Sequence, residues 1–366
     1  MHPPELVLDE YHYVTDARSI IEGKGSLRPE HPPLGKIFVV SGIRLFGDNP
    51  FGWRFFSVIF GTICIVLFYF ICRSINMPGN ASLFATFLFS FENLSFVQAS
   101  VAMLDIYFLT FMLCAFLLYL KSEYLASGIS VGLSTLAKIG GVLTLPAIFI
   151  HWLFTGRREL RRFLGLLLLA PISFVLFLPS LEFGLTRIPL NPISQIKTIL
   201  SLSGSLTFAN VSHPAASRPW DWILRPEMMY YWYDPHYIGA TSFTVWALII
   251  PSVLYMIYRA KKGNNASIFG LSWFASTYLI WIPISLITNR ISYPYYFYPT
   301  VGAICIGIGL GLSQLLDVWK TKKTGKLRWV AMLAVPVYLL LHTGVFVILS
   351  PVFAKWVPIP FITPPT

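Results

Sequence analysis

Two short polar stretches near the start of the chain carry residue types that do chemistry. Leu8-Asp9-Glu10-Tyr11-His12-Tyr13 holds an adjacent carboxylate pair, and His31-Pro32-Pro33-Leu34-Gly35-Lys36 is a basic hook stiffened by two prolines. Neighbouring side chains on a helix or an extended segment point in different directions. One of Asp9 and Glu10 can therefore face a substrate while the other pairs with a basic partner or organises the loop. The bland alternative is a solvated pair that caps a helix. His31, Lys36, Glu92, Asp105 and Arg54, all expected on one face, weigh against it. Carboxylates among cations at a bilayer surface suit chemistry on a lipid-borne phosphate.

Further candidates follow along the chain. Glu92 sits at the expected end of one apolar run and Asp105 near the start of the next, each either facing a polar cavity or pairing with a basic group. Lys138, alone in Ala137-Lys138-Ile139-Gly140-Gly141, either snorkels to the interface or binds an anion. The two glycines, which let a ligand come close, favour the anion. Ser212-His213-Pro214 and Ser217-Arg218-Pro219-Trp220-Asp221-Trp222 add His213 and Arg218 beside an aromatic belt, and Asn289-Arg290-Ile291 adds a phosphate-binding candidate in Arg290.

The elements that must position these residues are membrane helices. Of 366 residues, 55% are hydrophobic and 12% charged, about half the charge of a soluble chain. Apolar runs near 53–72, 82–98, 101–120, 125–137, 139–154, 163–180, 239–258, 268–288, 294–316 and 329–350 predict spans, each needing roughly 20 residues. The pair 125–137 and 139–154 is short enough to be one kinked or re-entrant unit, and 34–47 reads as interfacial. The net charge of +11 sits in short loops: Arg157, Arg158, Arg161 and Arg162; Arg259, Lys261 and Lys262; Lys320, Lys322, Lys323, Lys326 and Arg328. This is the positive-inside pattern and not a stripe for nucleic acid. Counting crossings from those loops places the 1–50 head and the 181–238 segment on the opposite, external face. Cys64, Cys72, Cys114 and Cys305 all lie in apolar runs and read as packing residues.

Taken together, in order and over most of the chain, these pieces resemble the protein O-mannosyltransferase family, within the GT-C class of membrane glycosyltransferases that use polyprenyl-phosphate sugars. The resemblance rests on Leu8 to His12, His31 to Lys36, Trp53-Arg54, Phe91-Glu92-Asn93 through Asp105, Gly132 to Gly140, Ser212 to Trp222, and Tyr293 to Pro299. It implies an all-α, polytopic transmembrane bundle of about 9–10 spans without a large soluble domain. Residues 1–50 are expected to form an external catalytic loop with an interfacial helix, 51–180 the N-terminal membrane core, 181–238 an external loop, and 239–366 the C-terminal membrane helices.

The resemblance maps the catalytic acidic residue, a general base, to Asp9, with Glu10 beside it, and donor-phosphate binding to Arg54, Lys138 and Arg290. It leaves His31, Lys36, Glu92, Asp105, His213 and Arg218 to bind substrate or organise loops. The implied reaction is inverting transfer of mannose, or a related hexose, from a polyprenyl-phosphate donor to Ser/Thr hydroxyls of exported proteins, on the extracytoplasmic face of the membrane. A lipid or cell-envelope glycan acceptor is the alternative, and a transporter or flippase ranks third. A divalent metal (Mg or Mn) fits between Asp9, Glu10 and the phosphate, although no spacing demands one. The family places a spanning helix before the acidic pair, and many eukaryotic members insert a large β-trefoil in the later external loop. Neither is seen here, which predicts a truncated start and a compact, prokaryotic-type member, in the plasma membrane.

Overall fold

The computed structural model describes residues 3–156, 159–233, 236–321 and 325–350. Arg157, Arg158, Lys322 and Lys323 lie outside the described residues. The head folds as α1 (Glu10–Ile21) and α2 (Pro33–Phe46). The first half of the bundle follows as α3 (Pro50–Ser74), α4 (Gly79–Ser90), α5 (Asn93–Ser100), α6 (Asp105–Leu120), α7 (Tyr124–Ala137), α8 (Thr144–Phe154) and α9 (Leu160–Thr186). The next segment holds α10 (Pro192–Ser205), α11 (Asp221–Leu224) and an antiparallel hairpin of β1 (Met228–Tyr233) and β2 (His236–Ala240). The chain then runs through α12 (Phe243–Trp246), α13 (Ile249–Ala260), α14 (Asn265–Phe274), α15 (Trp281–Thr288), α16 (Val301–Thr321) and α17 (Lys326–Leu349).

Local chemistry sets several helix starts. Pro33 and Pro50 occupy first-turn positions, where a missing N–H costs nothing. The Asn49 side chain accepts from the N–H groups of Phe51 and Gly52, and Asn264 does the same for Ser267. α7 packs between α6 and α9, α3 lies on α6, and α4 lies on α16, which joins the two halves. Gly35 lets α2 approach the end of α7, since a Cβ there would meet the Ala137 carbonyl oxygen at 2.6 Å.

The all-α, polytopic class is as expected, and the chain is an integral membrane protein. The spans differ in detail. Among the described residues, five helical segments are long and apolar enough to cross a bilayer: Pro50–Ser74, Leu160–Thr186, Asn265–Thr288, Pro294–Thr321 and Arg328–Leu349. A sixth is bent by 113°, where Asn93–Ser100 meets Asp105–Leu120. The expected span 82–98 breaks at Glu92, because that carboxylate caps α5 instead of staying inside a continuous helix. The expected span 239–258 begins in β2 and becomes a regular helix only at α13. Residues 125–137 and 139–154 are two short helices joined by a 3-10 turn over Ile139–Leu143.

Candidate active site

Asp9 stands at the start of α1, yet its side chain makes no capping bond, although aspartate is a favoured N-cap. The residue before it, Leu8, has φ +44°, a left-handed conformation that costs about 1–3 kcal/mol for a side chain of this kind. The strain and the unused cap leave the Asp9 carboxylate available. It accepts a bond from the Tyr295 hydroxyl at 3.3 Å. Burial raises its pKa above the ordinary aspartate value, and Lys138 and then His12 pull it partly back.

Glu10 faces the other way. Its side chain is 0% exposed and accepts from Arg54 Nε at 2.7 Å and Arg54 Nη2 at 2.7 Å, from the Ala102 N–H at 2.7 Å and from the Val7 N–H at 3.0 Å. Arg54, also 0% exposed, donates as well to the carbonyls of Pro3 (2.5 Å) and Glu5 (2.8 Å). The expected phosphate-binding role of Arg54 is therefore corrected. Its guanidinium makes four hydrogen bonds, two to a buried carboxylate and two to carbonyls, and it fixes the segment that carries Asp9. Glu10 is likewise occupied on both oxygens, next to Asp9 in the chain.

Across from Asp9, Lys138 Nζ donates to both Asp105 oxygens, at 2.9 and 2.7 Å. The lysine also lies 5.4 Å from the Tyr295 ring centroid and 6.0 Å from that of Tyr296. Lys138 thus sits between two carboxylates, bonded to one and close enough to the other to lower its pKa. The expectation that Gly141 opens this junction to a ligand is corrected, because a Cβ there would meet the Ser134 carbonyl carbon at 2.2 Å. The glycine lets the turn pack on α7.

His31 lies behind this group, with its ring 5.4 Å from that of Tyr13. Burial drives its pKa well below the ordinary histidine value, and Lys138, Lys36, Arg28 and Arg290 lower it further, so the imidazole is neutral within a ring of cations. Arg290 is one of those cations; its backbone makes an isolated β-bridge to Thr207, which ties down the segment that carries it. Lys36 donates to Ser26 Oγ (2.7 Å) and the Arg28 carbonyl (2.6 Å), and pairs with buried Asp16 at 3.5 Å. Asp16 in turn accepts from the Leu27 N–H at 2.5 Å. The basic hook thereby closes the loop between α1 and α2, and Lys36 does not project into the site.

The remaining candidates organise structure. Glu92 is 0% exposed and accepts from the N–H groups of Ser95 and Ser242, both at 2.7 Å, tying α5 to the segment after β2. Arg218 donates to Ser285 Oγ at 3.0 Å and Asn289 Oδ1 at 2.7 Å, cross-linking the loop before α11 to the end of α15. His213 is exposed, with its ring edge-on to Tyr293 at 5.3 Å. Two residues that sequence reasoning missed are Tyr13 and Asp16. A signal was present: Asp9, Tyr13 and Asp16 follow the i, i+4, i+7 spacing of one helix face.

The site so described gathers Asp9, the Lys138–Asp105 pair and neutral His31 among cations, with Tyr295 bonded to Asp9. Residues 30–183 match the family described as dolichyl-phosphate-mannose-protein mannosyltransferase. The *Corynebacterium glutamicum* polyprenol-phosphate-mannose–protein mannosyltransferase is 22% identical over 447 residues, covering 96% of this chain and 85% of that protein. The enzyme of the same name from *Mycolicibacterium smegmatis* is 33% identical over 116 residues, 30% of this chain. That match spans 22% of the mycobacterial protein's length. The *S. cerevisiae* protein O-mannosyltransferase Pmt1-Pmt2 complex bound to the sugar donor superposes with a TM-score of 0.71 at 13% identity, covering 96% of this chain and 87% of the matched chain. ArnT from *Cupriavidus metallidurans* bound to undecaprenyl phosphate gives 0.53 at 17% identity, with 94% and 68% covered. The chain is similar in sequence to these mannosyltransferases over part of its length and shares the fold of the matched membrane structures.

Proposed function

We propose that the chain is an inverting glycosyltransferase that moves mannose, or a related hexose, from a polyprenyl phosphate to a Ser/Thr hydroxyl of an exported protein, on the extracytoplasmic face. The observation that carries this reading is the division of labour between adjacent carboxylates: Glu10 is consumed by Arg54, while Asp9 keeps an oxygen open beside Lys138 and Tyr295. In the step, the acceptor oxygen attacks the anomeric carbon from the face opposite the phosphate. The bond from that carbon to the phosphate oxygen breaks, and polyprenyl phosphate leaves. The acceptor proton passes to Asp9. A general base of this kind contributes about 10²–10⁴-fold. The raised pKa of Asp9 strengthens it as a base.

We assign Lys138 and Arg290, whose charges both act on His31, to the leaving phosphate, since fixed positive charge stabilises the negative charge that develops there. The carboxylates give little support to a divalent metal. Both Glu10 oxygens bond Arg54, both Asp105 oxygens bond Lys138, and the described residues hold no group of three or more His, Cys, Asp or Glu able to bind a metal ion. The step is therefore written through side chains alone. The test is transfer of radiolabel from polyprenyl-phosphate-mannose to a Ser/Thr-rich peptide in membranes containing the chain. Label in peptide supports the proposal. Label in a lipid or glycan fraction, with none in peptide, would replace the acceptor.

A further inference from the structure

The far end of the bundle carries a second constructed feature. The span Asn265–Thr288 is 24 residues long, so Lys262 and Asn289 are separated by about 35 Å. Near Lys262, α13 is flanked by two apolar grooves. One, of about 360 Å³, runs between α13 and α16 and is lined by Leu248, Pro251, Tyr255, Gly307, Gly311 and Gln314 among others. The other, of about 620 Å³, lies between α13, α8 and α14 and is lined by Ile150, Phe154, Ile257, Lys261, Ile268 and Leu271 among others. The ridge between them is exposed and apolar, with Ile250 and Leu254 at its crest.

Both grooves end in cations. Arg259 donates to Tyr255 Oη at 3.1 Å and Gln314 Oε1 at 3.3 Å, which holds the guanidinium at the mouth of the first groove. Lys261 lines the second. Lys262 donates to Tyr258 Oη at 2.5 Å and lies 4.2 Å from its ring centroid. Residues 241–290 contain no Asp or Glu, and among the described residues none of the three cations is in an ion pair. Two apolar channels on either side of one helix, converging on uncompensated positive charge, match a two-chain lipid with an anionic headgroup.

We propose that α13 seats an anionic phospholipid from the leaflet facing the Lys/Arg loops, with one acyl chain in each groove and the phosphate held by Arg259, Lys261 and Lys262. The site is independent of the transfer reaction. Its test is native mass spectrometry of the purified full chain, delipidated and then exposed to equimolar dioleoyl phosphatidylglycerol and dioleoyl phosphatidylcholine. Wild type should retain phosphatidylglycerol preferentially, and each cation removed should weaken that preference about fivefold. The triple variant Arg259→Gln/Lys261→Gln/Lys262→Gln should lose it. Gly311→Leu supplies a variant that keeps every charge and tests the groove, since a Cβ at Gly311 meets nothing within 4 Å. It should lower the amount of lipid bound. Equal retention of both lipids by wild type, or an unchanged preference in the triple variant, overturns the proposal. Full binding by Gly311→Leu overturns the chain-in-groove geometry and leaves a surface charge effect only.

Discussion

Arg54→Met is the sharpest perturbation of the positioning clamp. It removes the cation from a wholly buried pair and leaves Glu10 with only the Val7 and Ala102 N–H groups as partners. Breaking a buried pair from one side costs about 3–5 kcal/mol, mostly the penalty of an uncompensated charge. Here the carbonyls of Pro3 and Glu5 also lose their donors, so the upper half of that range is expected. Adding Glu10→Gln neutralises the stranded carboxylate and should recover about 1–3 kcal/mol, the coupling typical of residues in direct contact. The assay is thermal unfolding of the purified chain in detergent, with the donor KM measured on the same samples. The reasoning is refuted if Arg54→Met leaves stability unchanged while raising the donor KM many-fold. That result would return Arg54 to the phosphate.

Other outcomes follow from the same geometry. Because Asp9 must be ionised to accept a proton and burial raises its pKa, transfer should fall on the acid side at a higher pH than for an exposed aspartate. Lys138→Met removes a charge that lowers that pKa, so a pH–rate profile should show the acid limb moving to still higher pH. A limb moving downward contradicts the placement of Lys138. Gly35→Ala forces a Cβ to 2.6 Å from the Ala137 carbonyl oxygen, a backbone atom that cannot swing away, so a loss of about 1–3 kcal/mol is expected in thermal unfolding, together with reduced transfer as Lys138 shifts. Treatment with EDTA should leave the transfer rate unchanged; restoration of a lost rate by Mg or Mn would show that the carboxylates release their present partners.

What the sequence disclosed follows from the range of the interactions involved. Apolar runs announced the membrane class because span-length helices need a long, uninterrupted signature, as in Pro50–Ser74 and Leu160–Thr186. The break at Glu92 was hidden because one carboxylate inside an apolar run looks the same whether it lines a cavity or caps a helix. Asp9 was legible as a candidate, since an acidic pair ahead of a membrane core is unusual. Its partners were not. Arg54 meets Glu10 across 44 residues and Lys138 meets Asp105 across 33, separations that no local pattern encodes. Arg54 was misread for that reason: at the mouth of a span, a cation aimed at a phosphate and one aimed at a buried carboxylate have the same sequence context. Lys36 was similarly ambiguous until Asp16 and Ser26 closed around it.

The most direct test of the account is the turnover of Asp9→Asn, with donor binding measured in parallel. Asparagine keeps the size and the hydrogen-bonding reach of the side chain while removing its capacity to take a proton. The account predicts that kcat for transfer from polyprenyl-phosphate-mannose to peptide falls about 10²–10⁴-fold, with donor affinity and thermal stability close to wild type. Turnover within a few-fold of wild type would contradict it and remove Asp9 from the role of base.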